Sequence, residues 1–120
     1  KNDKNIKIEK IGKFNFIYLL AENYPSKFQK LFIDNQKKKY DNNSIIFLAS
    51  SDNQKISIII GLTKDITLDF DARELIKIAA SIIGGKGGGG RKDFAQSGGV
   101  IIEKIKDIPQ VIKNEILKLT

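Results

Sequence analysis

Apolar positions change period several times along this chain, and each change marks an element. Phe14, Phe16, Tyr18 and Leu20 alternate with Asn15, Ile17 and Leu19, a period-2 pattern that predicts a strand apolar on both faces near its middle. Asn23-Tyr24-Pro25-Ser26 predicts a turn and a helix start, because proline suits a first helical turn. Phe28, Leu31 and Phe32 then share one face of a helix running to about Tyr40. After the turn residues Asp41-Asn42-Asn43, residues 45–49 form a continuous apolar run suited to the centre of a sheet. A hairpin-like loop at residues 51–54 leads into Ile56, Ile58 and Ile60. So short a connection makes this strand antiparallel to the one before it.

In the second half, Asp71 reads as a helix N-cap with Glu74 three residues later, a capping-box-like pair. Leu75, Ile76, Ala79, Ala80, Ile82 and Ile83 give residues 72–83 a broad apolar face, and Gly84 stops that helix. Val100-Ile101-Ile102 reads as a short strand. Asp107 and Pro109 open a last helix with Val111, Ile112, Ile116 and Leu119 inward. The order β-α-β-β-α-(Gly-rich loop)-α, with a short strand inside or after the loop, predicts an α/β (α+β) fold, a mixed sheet packed with helices and a Gly-rich loop after the second helix. Residues 1–12 are charged and loosely patterned, and read as a linker or the end of a preceding helical segment. The globular domain is placed at residues 13–120.

Composition narrows the chemistry. The chain has no His and no Cys, so the usual transition-metal ligands and the commonest general base are missing. Catalysis would have to run on carboxylates, Lys or Tyr, and no paired-carboxylate motif is present, so these 120 residues are expected to be non-catalytic and to hold no cofactor. No Met occurs, which suggests a piece cut from a longer chain. No apolar run is long enough for a membrane span and nothing at the start resembles a signal peptide, so the expected partners exclude a membrane and the expected location is the cytoplasm. The net charge of +7 makes polyanions plausible partners. Ile, Lys and Asn are all abundant, the mark of a codon bias, which discounts the lysines. By the same reasoning the two arginines, Arg73 and Arg91, stand out.

One segment concentrates the candidate chemistry. Eight of the ten glycines fall in residues 84–99, Gly-Gly-Lys-Gly-Gly-Gly-Gly-Arg-Lys-Asp-Phe-Ala-Gln-Ser-Gly-Gly. Exposed N–H groups in such a run can cradle an anion, and Arg91 offers a planar fork for phosphate. Gly85-x-Gly87-x-x-Gly90 formally matches a dinucleotide fingerprint, but a helix precedes it where a strand is needed, and no Gly-Lys-Ser/Thr completes a P-loop. What remains is a glycine platform, Gly87, Gly88, Gly89 and Gly90, with Lys86, Arg91 and Lys92 beside it and Gln96 as a further contact to nucleotide or loop backbone. Phe94 reads either as a core aromatic anchoring the loop, the favoured choice, or as a base-stacking platform. Asp93 pairs with Arg91 or Lys92, or caps a turn. Lys37-Lys38-Lys39 reads as a solvated helix end favoured by the helix dipole in preference to a phosphate contact.

Residues 82–99 resemble the signature of the DHH-associated domain family, in the form found at the C-terminus of alanyl-tRNA synthetases. The family pattern is Gly-Gly-Lys-Gly-Gly-Gly-Arg-Pro-Asp-x-Ala-Gln-x-Gly-Gly after an Ala-rich helix. Here Lys92 stands where proline is usual and the glycine run is one residue longer. The early strand, the helix ending in lysines, the strand–hairpin–strand near Leu48 to Gly61 and the second helix opened by Ala72 fall where the family has them. The resemblance implies a tRNA-binding tail that assists aminoacylation and editing by other domains of an alanine–tRNA ligase. It also implies a partner in alanine-specific tRNA, contact with the parent's other domains, and homodimerisation through a helical segment outside this chain. The parent is expected to use ATP and magnesium, with zinc as a further candidate. The same family serves as the substrate-binding domain of DHH-type phosphoesterases acting on nucleic acid or small phosphodiesters. There a His commonly follows the glycines, where this chain has Arg91.

Overall fold

The computed structural model describes residues 5–120. Its elements run β1 (Lys7–Ile11), β2 (Phe14–Glu22), α1 (Gln29–Lys39), β3 (Ser44–Asp52), β4 (Lys55–Leu62), α2 (Ala72–Ile82), β5 (Gly88–Arg91), β6 (Phe94–Gly99) and α3 (Ile108–Leu117), with short 3-10 turns at Ser26–Phe28, Lys64–Ile66 and Ile102–Asp107. They build one six-stranded sheet in the order β1-β2-β3-β4-β6-β5. The β2–α1–β3 crossover makes β2 and β3 parallel, and every other neighbouring pair is antiparallel. This is the mixed sheet with helices that the hydrophobic pattern predicts.

The sheet separates two cores. Even-spaced residues on β3 show the division: Ile45, Phe47 and Ala49 face α2 and α3 in the larger core, while Ile46 and Leu48 face α1 in the smaller one. A strand buried on both faces has no polar alternation, which is why β3 reads as a continuous apolar run. Tight turns use residues that tolerate the left-handed region, such as Asn53 at φ 56° between β3 and β4.

The structure corrects four expectations. Lys7–Ile11 is neither linker nor helix end but the edge strand β1, paired with β2; residues 1–4 of that stretch lie outside the described residues. On α1 the buried residues are Phe32 and Ile33, whereas Phe28 and Leu31 are about half exposed. The helix lies over β3 and β4 at an angle that turns Ile33 inward, and Gly61 on β4 makes the room: a Cβ there would overlap the Ile33 side chain. Val100 is exposed and Ile102 opens a 3-10 turn, so the strand expected at residues 100–102 lies instead at Phe94–Gly99. Leu119 lies past the end of α3 and is exposed, so α3 turns Ile108, Pro109, Ile112 and Ile116 inward.

Asp71 caps α2 as expected. The Asp71 carboxylate accepts the Arg73 N–H at 2.9 Å, and the Arg73 guanidinium returns two further bonds to it at 2.9 and 2.7 Å. That guanidinium holds the Asp71 pKa down from 3.8 to about 2.

Candidate nucleic-acid interface

The glycine segment is a built hairpin. Helix α2 ends at Ile82 with Ile83 as its C-cap, Gly84 at a φ of 78° reverses the chain, and the Gly85 N–H returns to the Ala80 carbonyl at 2.8 Å, a Schellman closure. The chain then runs back as β5, turns at Lys92-Asp93 and continues as β6, pairing Gly88 with Ser97, Gly89 with Gln96, Gly90 with Ala95 and Arg91 with Phe94. Ser97 Oγ donates to the Gly87 carbonyl. The turn is pinned from three sides. The Ala72 N–H at the start of α2 donates to the Lys92 carbonyl at 2.7 Å, and the Asp93 carbonyl accepts the Leu62 N–H at 2.9 Å and the Lys37 ammonium at 3.3 Å.

Which side of this hairpin is open follows from what packs where. Helix α2 packs on β4, β6 and β5, and Ala95 points into the core beneath it. Helix α1 packs on β3 and β4. On the α1 side, no helix among the described residues covers β6 and β5 as α1 covers β3 and β4, and side chains alternate across a strand, so Phe94 and Gln96 share that face with their partners Arg91 and Gly89. The result is an open floor of Gly89, Arg91, Phe94 and Gln96 with α1 as its wall.

The wall supplies charge. Lys30 lies with its ammonium 5.3 Å from the Phe94 ring centroid, and the Arg91 guanidinium carbon lies 5.6 Å from the same centroid. Cation–π contacts of this kind hold the two charges over one ring. Lys37 sits between α1 and the turn, and burial pushes its ammonium below the ordinary lysine pKa; Asp93 and Asp34 oppose that shift, while Lys30 and Arg91 add to it. Arg91 Nε pairs with Asp93 Oδ1 at 3.3 Å, yet the arginine side chain stays 68% exposed. Lys30 also pairs with Asp34 at 3.3 Å.

Of the residues singled out in the sequence, Gly89, Arg91 and Gln96 come together on this floor. Gly88 and Gly90 face the other side and are there because β5 lies so close to β6: an added Cβ would meet the Gln96 and Ser97 atoms at Gly88, and the Ala95 Cα at 2.5 Å at Gly90. Lys86 and Gly87 lie in the connection from α2 to β5. Lys92 is in the turn, and its charge helps to lower the Asp71 pKa, so it sits towards α2. Phe94 packs against the smaller core, the anchoring reading of that ring, and Asp93 pairs with Arg91, one of its expected partners.

Lys30 was not singled out in the sequence, and Lys37 was read only within the lysine triplet, where the solvated helix end was preferred to a phosphate contact. The solvated reading of the lysine triplet suits the exposed Lys38 and Lys39 but not Lys37, which is turned towards the hairpin. The available signal was the spacing of Lys30, Asp34 and Lys37, which places all three along one flank of a helix. Among the described residues no group of three His, Cys, Asp or Glu side chains comes together as a metal site, and no helix is long and apolar enough to cross a membrane.

Known proteins resemble the chain throughout this region. The family described as DHHA1 domain matches residues 14–118. The alanine–tRNA ligase of Hyphomonas neptunium is 38% identical over 105 residues, covering 88% of this chain and 12% of the ligase. That of Parvibaculum lavamentivorans is 34% identical over 112 residues, 93% of this chain and 13% of the ligase. The chain thus spans about an eighth of the length of these curated relatives. The crystal structure of the C-Ala domain of Aquifex aeolicus alanyl-tRNA synthetase superposes with a TM-score of 0.86 at 29% identity, covering 92% of this chain and 98% of that one. A DHH-domain protein described as a member of the s1p family of ribosomal proteins shares the fold, with a TM-score of 0.67 at 19% identity over 98% of this chain and 29% of its own.

Proposed function

From the premise that the chain belongs to the DHHA1 domain family, we propose that it is the C-terminal tRNA-binding domain of an alanine–tRNA ligase. It grips RNA without itself catalysing a step and assists aminoacylation and editing by the parent's other domains. The observation that carries this reading is the uncovered half-sheet. A floor of Gly89 and Gln96, with the Arg91 fork at its end and lysines along its wall, suits a polyphosphate backbone. Phosphate contacts of this type position RNA without reading sequence. The similarity to the C-Ala domain supports the same assignment. The relatives being ligases, and Arg91 standing in the place of the His that marks the phosphoesterase branch, favour it over a phosphoesterase.

ATP and magnesium, with zinc as a further candidate, would be held by other domains of such a parent: this chain lacks the His and Cys that zinc favours, and among the described residues no three carboxylates come together. Cytoplasmic residence, and homodimerisation through a helical segment outside these 120 residues, belong to the same proposal.

Arg91→Ala tests it. A desolvated charge-assisted contact contributes roughly 1.5–3 kcal/mol, so tRNA affinity should fall about tenfold or more. The slope of log K against log salt should become shallower by somewhat under one unit, as about one phosphate contact is lost. Arg91→Lys should rescue only in part, because an ammonium cannot reproduce the fork. The exposed Arg91–Asp93 pair contributes little to stability, so the variant should melt close to wild type. Unchanged affinity and salt slope in a folded Arg91→Ala variant would place the RNA surface elsewhere.

A further inference from the structure

Three cations from two distant parts of the chain crowd the junction of α1 and the hairpin turn. Lys30 and Arg91 lie over one ring, and Lys37 reaches the turn carbonyl of Asp93. The carboxylates facing them are Asp34, which pairs with Lys30, and Asp93, which pairs with Arg91. Lys37 is half-buried and donates to a carbonyl that the Leu62 N–H already satisfies. Packing like charges together with one of them partly desolvated disfavours the charged forms. The fold nevertheless provides for the arrangement. Gly61 leaves space for the stem of Lys37, where a Cβ would stand 3.1 Å from its Cε.

We propose that Lys30, Lys37 and Arg91 form a single anion seat between α1 and the β5–β6 turn, which holds one phosphate of the RNA backbone with Lys37 as the inner contact. An anion there would relieve the repulsion among the three cations. It would also tie the wall of the floor to its end, so that α1 becomes half of the interface. The Phe94 ring beneath Lys30 and Arg91 is then a support for charge and not a stacking platform for a base. The identity of the polyanion rests on the function proposed above; the seat itself does not.

Inorganic pyrophosphate is the probe. It is titrated into the 120-residue chain against sodium chloride at equal ionic strength, with melting temperature and the backbone amide shifts of residues 91–94 as readouts. The variants are Lys37→Met, which keeps the unbranched stem over Gly61, Lys30→Gln, and Lys104→Met as a charge-matched control on the remote 3-10 turn Ile102–Asp107. Pyrophosphate should raise the wild-type melting temperature beyond the chloride effect and shift those amides. Lys37→Met should abolish both responses, Lys30→Gln should reduce them, and Lys104→Met should leave them intact.

In tRNA binding, Lys37→Met should lower affinity about tenfold with a shallower salt slope, well beyond the effect of Lys104→Met. A pyrophosphate response that survives Lys37→Met overturns the seat. So does equal weakening of tRNA binding by Lys37→Met and Lys104→Met, since that reports net charge alone. A Lys37-dependent pyrophosphate response in a chain without tRNA affinity supports the seat and removes the tRNA reading.

Discussion

Gly88 and Gly89 are neighbours in β5 and both exposed, yet alanine should act on them in opposite ways. A Cβ at Gly88 would overlap the Gln96 carbonyl oxygen and stand 2.6 Å from Ser97 Cβ and 3.0 Å from the Gln96 carbonyl carbon. Most of these are main-chain atoms of β6, which is held between β4 and β5 with α2 beneath it, so they cannot swing aside as a flexible side chain would. Overpacking of this kind costs about 1–3 kcal/mol. For a domain of this size each kcal/mol lowers the melting temperature by roughly 3–5 °C, so Gly88→Ala should melt about 3–15 °C early.

A Cβ at Gly89 meets nothing within 4 Å, and the residue has no positive φ. Alanine there reduces only the freedom of the unfolded chain, and should stabilise by roughly 0.4–1 kcal/mol. The new methyl would nonetheless stand on the open floor beside Arg91 and Gln96. If RNA backbone lies against that floor, the loss of one close contact, worth about 1 kcal/mol, should weaken tRNA binding about fivefold. Thermal melts by circular dichroism and fluorescence anisotropy with labelled tRNA measure the two effects. Equal destabilisation by both alanines would refute the account of why β5 is made of glycine. Unchanged tRNA affinity for Gly89→Ala would separate the floor from the RNA surface.

Two further expectations concern the cap and the hairpin. Asp71→Ala should cost about 1 kcal/mol at neutral pH. Because the Asp71 pKa is depressed to about 2, the contribution is complete above about pH 4 and disappears as pH falls through about 2, so wild-type and variant stabilities should converge in strong acid; a constant difference from pH 7 to pH 2 would contradict the assignment. Amide exchange should be slow at Ala95 and Gln96, which β6 places between two strands, and fast at Lys86 and Gly87; uniform fast exchange across residues 84–99 would show that the hairpin does not persist in solution.

Much of the fold is written in local pattern. The period-2 alternation of β2, the apolar run of β3, the short link to β4, and the Asp71 cap and Gly84 stop of α2 all follow from side-chain periodicity and main-chain sterics within a few residues. The family, too, is legible in residues 82–99, because a mixed string of glycine, charge, aromatic and amide is specific where glycines alone are not. The weak points are equally local. Phe28, Leu31 and Phe32 satisfy helical spacing, but spacing cannot say which flank meets the sheet. That choice depends on Gly61, 28 residues beyond Ile33, whose missing Cβ admits the Ile33 side chain.

The glycine segment shows most clearly what tertiary structure alone decides. Gly88-Gly89-Gly90 has no side chains and therefore no period, so by itself it reads as a loop. It becomes a strand because β6 supplies hydrogen-bond partners and α2 supplies a roof. The same sheet order leaves the other face of β5 and β6 uncovered, since α1 is committed to β3 and β4. Lys30 reaches the Phe94 ring and Lys37 the Asp93 carbonyl, on either side of the Arg91–Phe94 pair, only because the β2–α1–β3 crossover sets α1 beside that gap. Sequence determined which residues carry charge and which lack side chains. Their meeting depends on contacts between elements far apart in the chain, which the periodicity of either element does not contain.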